Sequence, residues 1–175
     1  MPHINNAALR GRQNRAAGQM FEEMVEAACR SYRQAGIAEI EKTPEAMKPL
    51  GQQNGKGQFL ACYVKKAQPD FKGTLKGGCS VVFEAKFTSS GKMQQSVVLE
   101  QQAEALERHR QLGAVCFILI SFDFSSFFAV PWEVWREMKE RYGRKYLTPA
   151  DIPQYRVNLY RGMIDFLRQY KNTRA

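Results

Sequence analysis

The sequence predicts an α/β fold, a mixed β-sheet flanked by α-helices. Three observations carry this. Apolar residues between Ala16 and Ala35 fall on one helical stripe. Short strand-like runs separated by glycine-bearing links fill residues 58 to 87. Val115 to Phe122 is a continuous apolar run, as expected of a strand buried on both faces.

In chain order, residues 1–15 are polar and basic, with Arg10, Arg12 and Arg15, and read as a flexible N-terminal arm. Residues 16–175 read as a single domain. The first helix carries its stripe on Met20, Phe21, Met24, Val25, Ala28 and Tyr32 and stops at Gly36, where glycine suits a helix C-terminus. Ile37 to Lys42 is a short strand ended by Pro44. Glu45 to Gln58, rich in Gly and Gln, is a loop or protruding segment. Strands follow at Gln58–Lys65, Pro69–Leu75 and Cys79–Phe87, and Thr88 to Gln95 reads as a polar loop. Ser96 would N-cap a second helix with the stripe Leu99, Ala103 and Leu106, closed at Gly113. Ser126–Pro131 is a further strand. Trp132–Tyr142 and Met163–Tyr170 read as helices, and Thr148-Pro149-Ala150-Asp151 as a helix start.

The 175 residues suffice for one domain with a real core. Lys and Arg number 26 against 17 Asp and Glu, a formal charge of +9, which points to a polyanionic partner, nucleic acid before an anionic membrane surface. No apolar run reaches the roughly 18 residues of a membrane span, and Met1 to Arg15 shows no secretory leader. The two histidines, His3 and His109, argue against a His-centred triad or a multi-His metal site. The four cysteines lack the spacing of a zinc knuckle; Cys29, Cys62 and Cys116 sit among apolar neighbours and read as reduced, buried thiols of a cytoplasmic protein.

The informative stretch is Pro69-Asp70, thirteen residues, then Glu84-Ala85-Lys86. Alternation along the strand puts Val81, Phe83, Ala85 and Phe87 on an apolar face and Val82, Glu84 and Lys86 on the other. A hairpin turning at Leu75 to Gly78 would bring Asp70 close to Glu84. Two carboxylates and a backbone carbonyl, here that of Ala85, can hold Mg²⁺. Lys86 beside them can position a water or stabilise charge developing on phosphorus. That is the equipment of a metal-dependent nuclease. The competing reading is a surface salt bridge worth about 0–1 kcal/mol.

Gln102 lies on the apolar stripe of the second helix, where a buried amide needs partners; an active site would supply them, and so would the edge of the stripe. Glu22, beside Phe21, can point toward the polar sheet face or share a solvated one with Glu23 and Glu26. Gly51 to Gly57 (GQQNGKG) fails as a phosphate-binding loop in spacing and in lacking Ser or Thr after the lysine, though Lys56 on such a finger could touch a DNA backbone. The run Phe122 to Phe128 (FDFSSFF) reads as core and sheet.

Taken together, Asn14-Arg15, Glu22, Ile37 to Pro44, Asp70-Phe71-Lys72-Gly73, Phe83-Glu84-Ala85-Lys86, Gln102, Gly113 to Phe117, Gly143-Arg144-Lys145 and Ile164-Asp165-Phe166 form a collinear set. In it the chain resembles the RecU family of Holliday-junction resolvases, within the PD-(D/E)XK nuclease superfamily. The resemblance implies a restriction-endonuclease-like fold. It also implies a homodimer that cuts four-way DNA junctions with Mg²⁺ or Mn²⁺. Asp70 and Glu84 would be its metal ligands, Lys86 its catalytic lysine, and Glu22 and Gln102 supporting residues. It further implies a stalk entering the junction, here about residues 45–68 and shorter than usual. The chain departs from the family in Gln68-Pro69, where hydroxyl residues are usual, and in Gln101, where a histidine is.

The resulting expectation is a structure-selective DNA endonuclease, with Arg15, Lys56, Lys72, Arg144 and Lys145 as DNA contacts. The alternatives are a flap, end or duplex nuclease of the same superfamily, and a DNA-binding recombination factor without catalysis. A recombinase partner would fit the first reading.

Overall fold

A computed structural model describes residues 6–44, 47–52, 54–63 and 68–170 of the chain. Helix α1 (Asn6–Gln34) leads into β1 (Ala38–Lys42), followed by the short strands β2 (Met47–Pro49) and β3 (Ala61–Tyr63). Then come β4 (Phe71–Leu75), β5 (Ser80–Thr88), β6 (Met93–Gln94), α2 (Glu100–Gln111), β7 (Val115–Phe122) and β8 (Ser126–Pro131). Two one-turn helices, α3 (Trp132–Arg136) and α4 (Met138–Tyr142), precede β9 (Tyr146–Leu147), β10 (Arg156–Val157), β11 (Leu159–Tyr160) and β12 (Met163–Ile164).

Six strands form the central sheet in the order β1-β4-β5-β7-β8-β10. Only β5 and β7 run parallel, joined by the crossover through α2; the other pairs are antiparallel. The predicted mixed sheet flanked by helices is therefore present. Alternation along β5 and β7 feeds two cores. On one face Phe83, Ala85, Phe117 and Leu119 pack under α1 with Phe21, Val25, Ala28 and Tyr32. On the other, Val82, Cys116, Ile118 and Ile120 meet Leu106 of α2 and Trp132, Trp135 and Met138 of the α3–α4 segment.

A row of stacked rings fixes the register. Phe71 pairs with Phe83, and Phe83 with Phe117, across three strands. Their centroids are 4.9 and 4.6 Å apart and their planes within 10° of parallel. Offset stacking adds about 0.5–1.5 kcal/mol per pair beyond burial. Gly73 is dictated by the same sheet: a Cβ there would fall on the Glu39 carbonyl oxygen and within 2.6 Å of Ile40 Cα on β1.

Several local expectations are corrected. Helix α1 begins at Asn6, so residues 6–15, read as part of a flexible arm, are helical; residues 1–5 lie outside the described residues. Ala, Leu, Arg and Gln in this stretch are good helix formers, but its sequence carries no sustained apolar stripe to signal the helix. Within the segment read as a loop or stalk, Met47–Pro49 and Ala61–Tyr63 pair as the β2–β3 hairpin, which is compatible with a protruding segment; residues 45–46, 53 and 64–67 of that segment lie outside the described residues. Leu99 is exposed and N-caps α2 instead of belonging to its stripe, which is Gln102, Ala105 and Leu106. The helix read over Trp132–Tyr142 breaks at Glu137. Residues 163–170 form a strand and a 3₁₀ turn instead of a helix, because Met163 and Ile164 pair with Tyr160 and Leu159. Pro149–Asp151 is a single 3₁₀ turn. All four cysteines are free; Cys29 and Cys116 are buried, but Cys62 on the β2–β3 hairpin is exposed. The aromatic run packs as expected, with Phe122, Phe127 and Phe128 buried and Phe124 against Phe87. No helix among the described residues is long and apolar enough to cross a membrane.

Candidate active site

The ring row determines where the carboxylates fall. With Phe71 opposite Phe83, Asp70 stands one step beyond, at Glu84. Asp70 lies just before β4 begins, and its side chain takes the place of the backbone ladder: Ala85 N–H donates to Asp70 Oδ2 at 3.1 Å. The Asp70 carbonyl accepts from Thr43 N–H at 2.8 Å, so the residue is held from β1 as well. Two neighbouring strands thus hold Asp70, and Pro69, which lacks an N–H, comes just where the ladder stops.

Glu84 is fully buried. Lys86, two residues on and on the same face, donates to Glu84 Oε2 at 2.8 Å and lies 3.7 Å from Asp70 Oδ2. The alternative of an exposed surface salt bridge is excluded by this burial. Burial, together with the neighbouring Asp70 carboxylate and against the pull of Lys86, pushes the Glu84 carboxyl up to about 9. Burial alone would lower the Lys86 ammonium, but Glu84, Asp70 and Glu22 outweigh it and the net direction is upward. The three groups therefore act as one cluster, with a cation favoured among the acids.

Glu84 Oε1 is buried and has no hydrogen-bond partner among the described residues. Burial holds the metal-free Glu84 carboxyl toward its protonated form beside the Asp70 carboxylate, and a cation taking that proton's place would meet both acids. The donor set is two hard carboxylates with the Ala85 carbonyl on the Glu84 strand, and among the described residues no group of three or more His, Cys, Asp or Glu is placed to hold a metal ion. Such a sparse oxygen set fits a small hard cation that keeps several waters or borrows phosphate oxygens. The residues present therefore fit a divalent metal.

The supporting residues divide. The Glu22 carboxylate is ion-paired with Lys42 of β1 at 2.9 Å, and Lys42 also reaches Glu26 at 3.2 Å; its charge acts on Lys86. Lys42 was not singled out as a site residue from the sequence; alternation on β1 puts it on the face of Ala38 and Ile40, toward α1, but does not name its partners there. Gln102 is buried on α2, which packs on the Glu84 face of the sheet. Its Oε1 accepts from Leu99 N–H at 3.0 Å, closing the first turn of its own helix. Its carbonyl oxygen thus finds its partner without the acid cluster. Among the described residues no hydrogen bond joins Gln102 to Asp70, Glu84 or Lys86, so expecting it at the cluster is not met by direct contact.

Of the basic residues, Lys72 shares the Asp70 face of β4 by alternation and donates to Gln68 at 2.9 Å. Arg15 is exposed on α1, Lys56 on the hairpin loop, and Lys145 before β9. Arg144 is different: its guanidinium makes a two-pronged pair with Asp151 at 2.7 and 2.6 Å, which ties the β9 segment down.

The Recombination protein U (RecU) family matches residues 16–172 of the chain. A search of curated proteins finds no match. Among solved structures, the chain is similar to Hjc of Archaeoglobus fulgidus, a Holliday junction resolvase from an archaeal hyperthermophile, with a TM-score of 0.50. The identity is 15%, over 78% of this chain and 93% of that one, so the likeness is one of fold. A family match running through the first helix, both carboxylate strands and the C-terminal hairpin places this chain in the RecU family.

Proposed function

We propose that the chain is a metal-dependent endonuclease that resolves four-way DNA junctions by hydrolysing phosphodiester bonds. The observation that carries the chemistry is the buried Glu84, its Oε1 unpartnered, with Asp70 held against Ala85 N–H and the Lys86 ammonium 2.8 Å from Glu84 Oε2. Membership of the RecU family supports the branched substrate, and the fold shared with a Holliday junction resolvase is consistent with it.

Asp70 and Glu84 would hold the cation, Mg²⁺ or Mn²⁺, which supplies Lewis acidity and a water of lowered pKa. Lys86 holds its ammonium at the carboxylate pair, where it can orient the attacking water and meet negative charge developing on the phosphoryl oxygens. Glu22, ion-paired with Lys42, adds a lesser negative charge to those of Glu84 and Asp70 around the Lys86 ammonium. Arg15, Lys56, Lys72 and Lys145 supply contacts to the DNA backbone, and Arg144 supports Lys145 through its pair with Asp151. A homodimer would set two such sites against the two opposed strands of a junction. The cell compartment is the cytoplasm, where recombination intermediates and a recombinase partner would be met.

The test is cleavage of a four-way junction, a flap and a linear duplex in Mg²⁺. Paired symmetric nicks on the junction alone support resolution. Cutting of flap or duplex at a similar rate would make it a general nuclease of the superfamily, and binding without cutting would make it a recombination factor.

A further inference from the structure

Beyond the carboxylates, the same sheet face carries a second polar arrangement. Glu84, Lys86 and Thr88 share one face of β5, with Thr88 about 13 Å along the strand from Glu84. There the chain folds back. Thr88 Oγ1 and Ser90 Oγ share a hydrogen bond of 2.9 Å, and Ser90 Oγ donates to the Lys92 carbonyl at 2.8 Å. Lys92 is thereby brought to the end of β5. Its Nζ lies 5.3 Å from the centroid of the Tyr146 ring, and the Arg144 guanidinium lies 4.7 Å from the same centroid.

The ring is set from behind. Asp151 takes Arg144 and also accepts from the Thr148 N–H and hydroxyl, each at 2.7 Å. Tyr146 pairs with Gln94, and the Lys145 carbonyl accepts from Gln95 N–H at 2.9 Å. Met93 and Leu147, the neighbouring pair, are buried with Val82 in the core on the Glu84 side, and alternation turns Tyr146 outward from that layer. Arg144 is neutralised by Asp151. Lys92 and Lys145 are exposed, and no carboxylate pairs with either among the described residues. An uncompensated ammonium held over a ring, with its backbone fixed by the Ser90 hydroxyl, suits a phosphodiester rather than a metal or a carboxylate.

We propose that Lys92, positioned by the Tyr146 ring that Arg144 holds, forms a second phosphate-holding subsite that grips the strand being cut at a phosphate beyond the scissile one. Tyr146 is a positioning residue: it confines a flexible lysine to one place. The inference rests on the DNA-cleavage reading, and its test is arranged to be judged apart from it.

Binding of a four-way junction is measured against salt with divalent cations chelated, so that the strands stay intact. Lys92→Ala should bind about fivefold more weakly at ~0.1 M salt, with the slope of log affinity against log salt shallower by about 1. Tyr146→Leu should show the same loss and Tyr146→Phe should restore wild-type behaviour, with thermal midpoints measured to confirm folding. Lys76→Ala removes the same charge from the turn at the other end of β5 and should leave the slope unchanged. A wild-type slope for Lys92→Ala, or equal losses for Lys92→Ala and Lys76→Ala, would overturn the subsite. A wild-type slope for folded Tyr146→Leu would overturn the positioning role. Failure of the protein to cut any DNA in Mg²⁺ would count against the nuclease reading alone, since the slopes are read without metal.

Discussion

At the scale of single residues, the acid pair dominates. Asp70→Asn keeps the hydrogen bond from Ala85 N–H but removes half of the anionic charge offered to a cation. It should lower single-turnover junction cleavage by at least about a hundredfold while leaving junction affinity near wild type, read by gel shift in chelator. A variant cutting at the wild-type rate would remove Asp70 from the site. Glu84 gives a pH signature. Its carboxyl is raised from 4.5 to about 9, with burial as the largest cause, so between those values the folded protein binds more protons than the unfolded chain. Stability of the metal-free protein should therefore fall as pH rises through this window. A divalent cation must displace the proton, so its affinity should climb with pH, by up to tenfold per unit. Thermal midpoints with chelator and with Mg²⁺, followed across pH, should diverge toward alkaline pH; parallel curves would contradict this origin. Asp70, Glu84 and Lys86 were all legible in the sequence, because strand alternation places Glu84 and Lys86 on one face whatever the fold does elsewhere. The role of Lys42 was not, since it depends on how α1 lies across β1.

At the scale of elements, register is what brings Asp70 to Glu84, and the Phe71–Phe83–Phe117 row holds it. Phe71→Ala should cost about 3–5 kcal/mol and lower cleavage beyond what the remaining folded fraction explains, measured by denaturation and activity on the same preparation. Gly73→Ala tests the neighbouring seam. Its Cβ meets β1 backbone, which has no side chain to swing away. β1 should be pushed off the sheet edge, with a clear drop in thermal midpoint. On the opposite face, Glu107 accepts from Trp132 Nε1 at 2.8 Å and pairs with Arg110 and Arg136, joining α2 to α3. These donors, Arg110 foremost, hold its carboxyl down at about 2. The stability it contributes is present above its unfolded value of 4.5 and fades as pH falls toward 2, so Glu107→Gln should flatten the acid limb of the unfolding profile. The strands β1, β4, β5, β7 and β8 were legible from alternation or apolar run. The hairpin β11–β12 was not, because its residues favour strand only when they pair with each other.

At the scale of the molecule, the charge of +9 should make binding to DNA strongly salt dependent, and the proposed pair of sites per junction would require two chains. Sedimentation should give a dimer at assay concentrations, and junction cleavage should yield paired nicks at symmetric positions. A monomer that nicks one strand at random would contradict the proposed geometry. The basic residues do not act alike. Arg144 is committed to Asp151 and Tyr146, whereas Lys145 and Lys92 are free to meet phosphate, a division that composition cannot make because a guanidinium facing an acid and one facing solvent count the same.

The amino-acid order alone determined the sheet-and-helix class, the strand that carries Glu84 and Lys86, and the family. These depend on periodicities of two and 3.6 residues and on collinear motifs, which need no knowledge of what lies across the sheet. Tertiary structure decided the rest: that Glu84 is buried with an oxygen unpartnered, that Gln102 caps its own helix, that residues 6–15 extend α1, and that Lys92 stacks on Tyr146. Each of these depends on a partner far along the chain or on water excluded by packing, and local sequence carries no record of either.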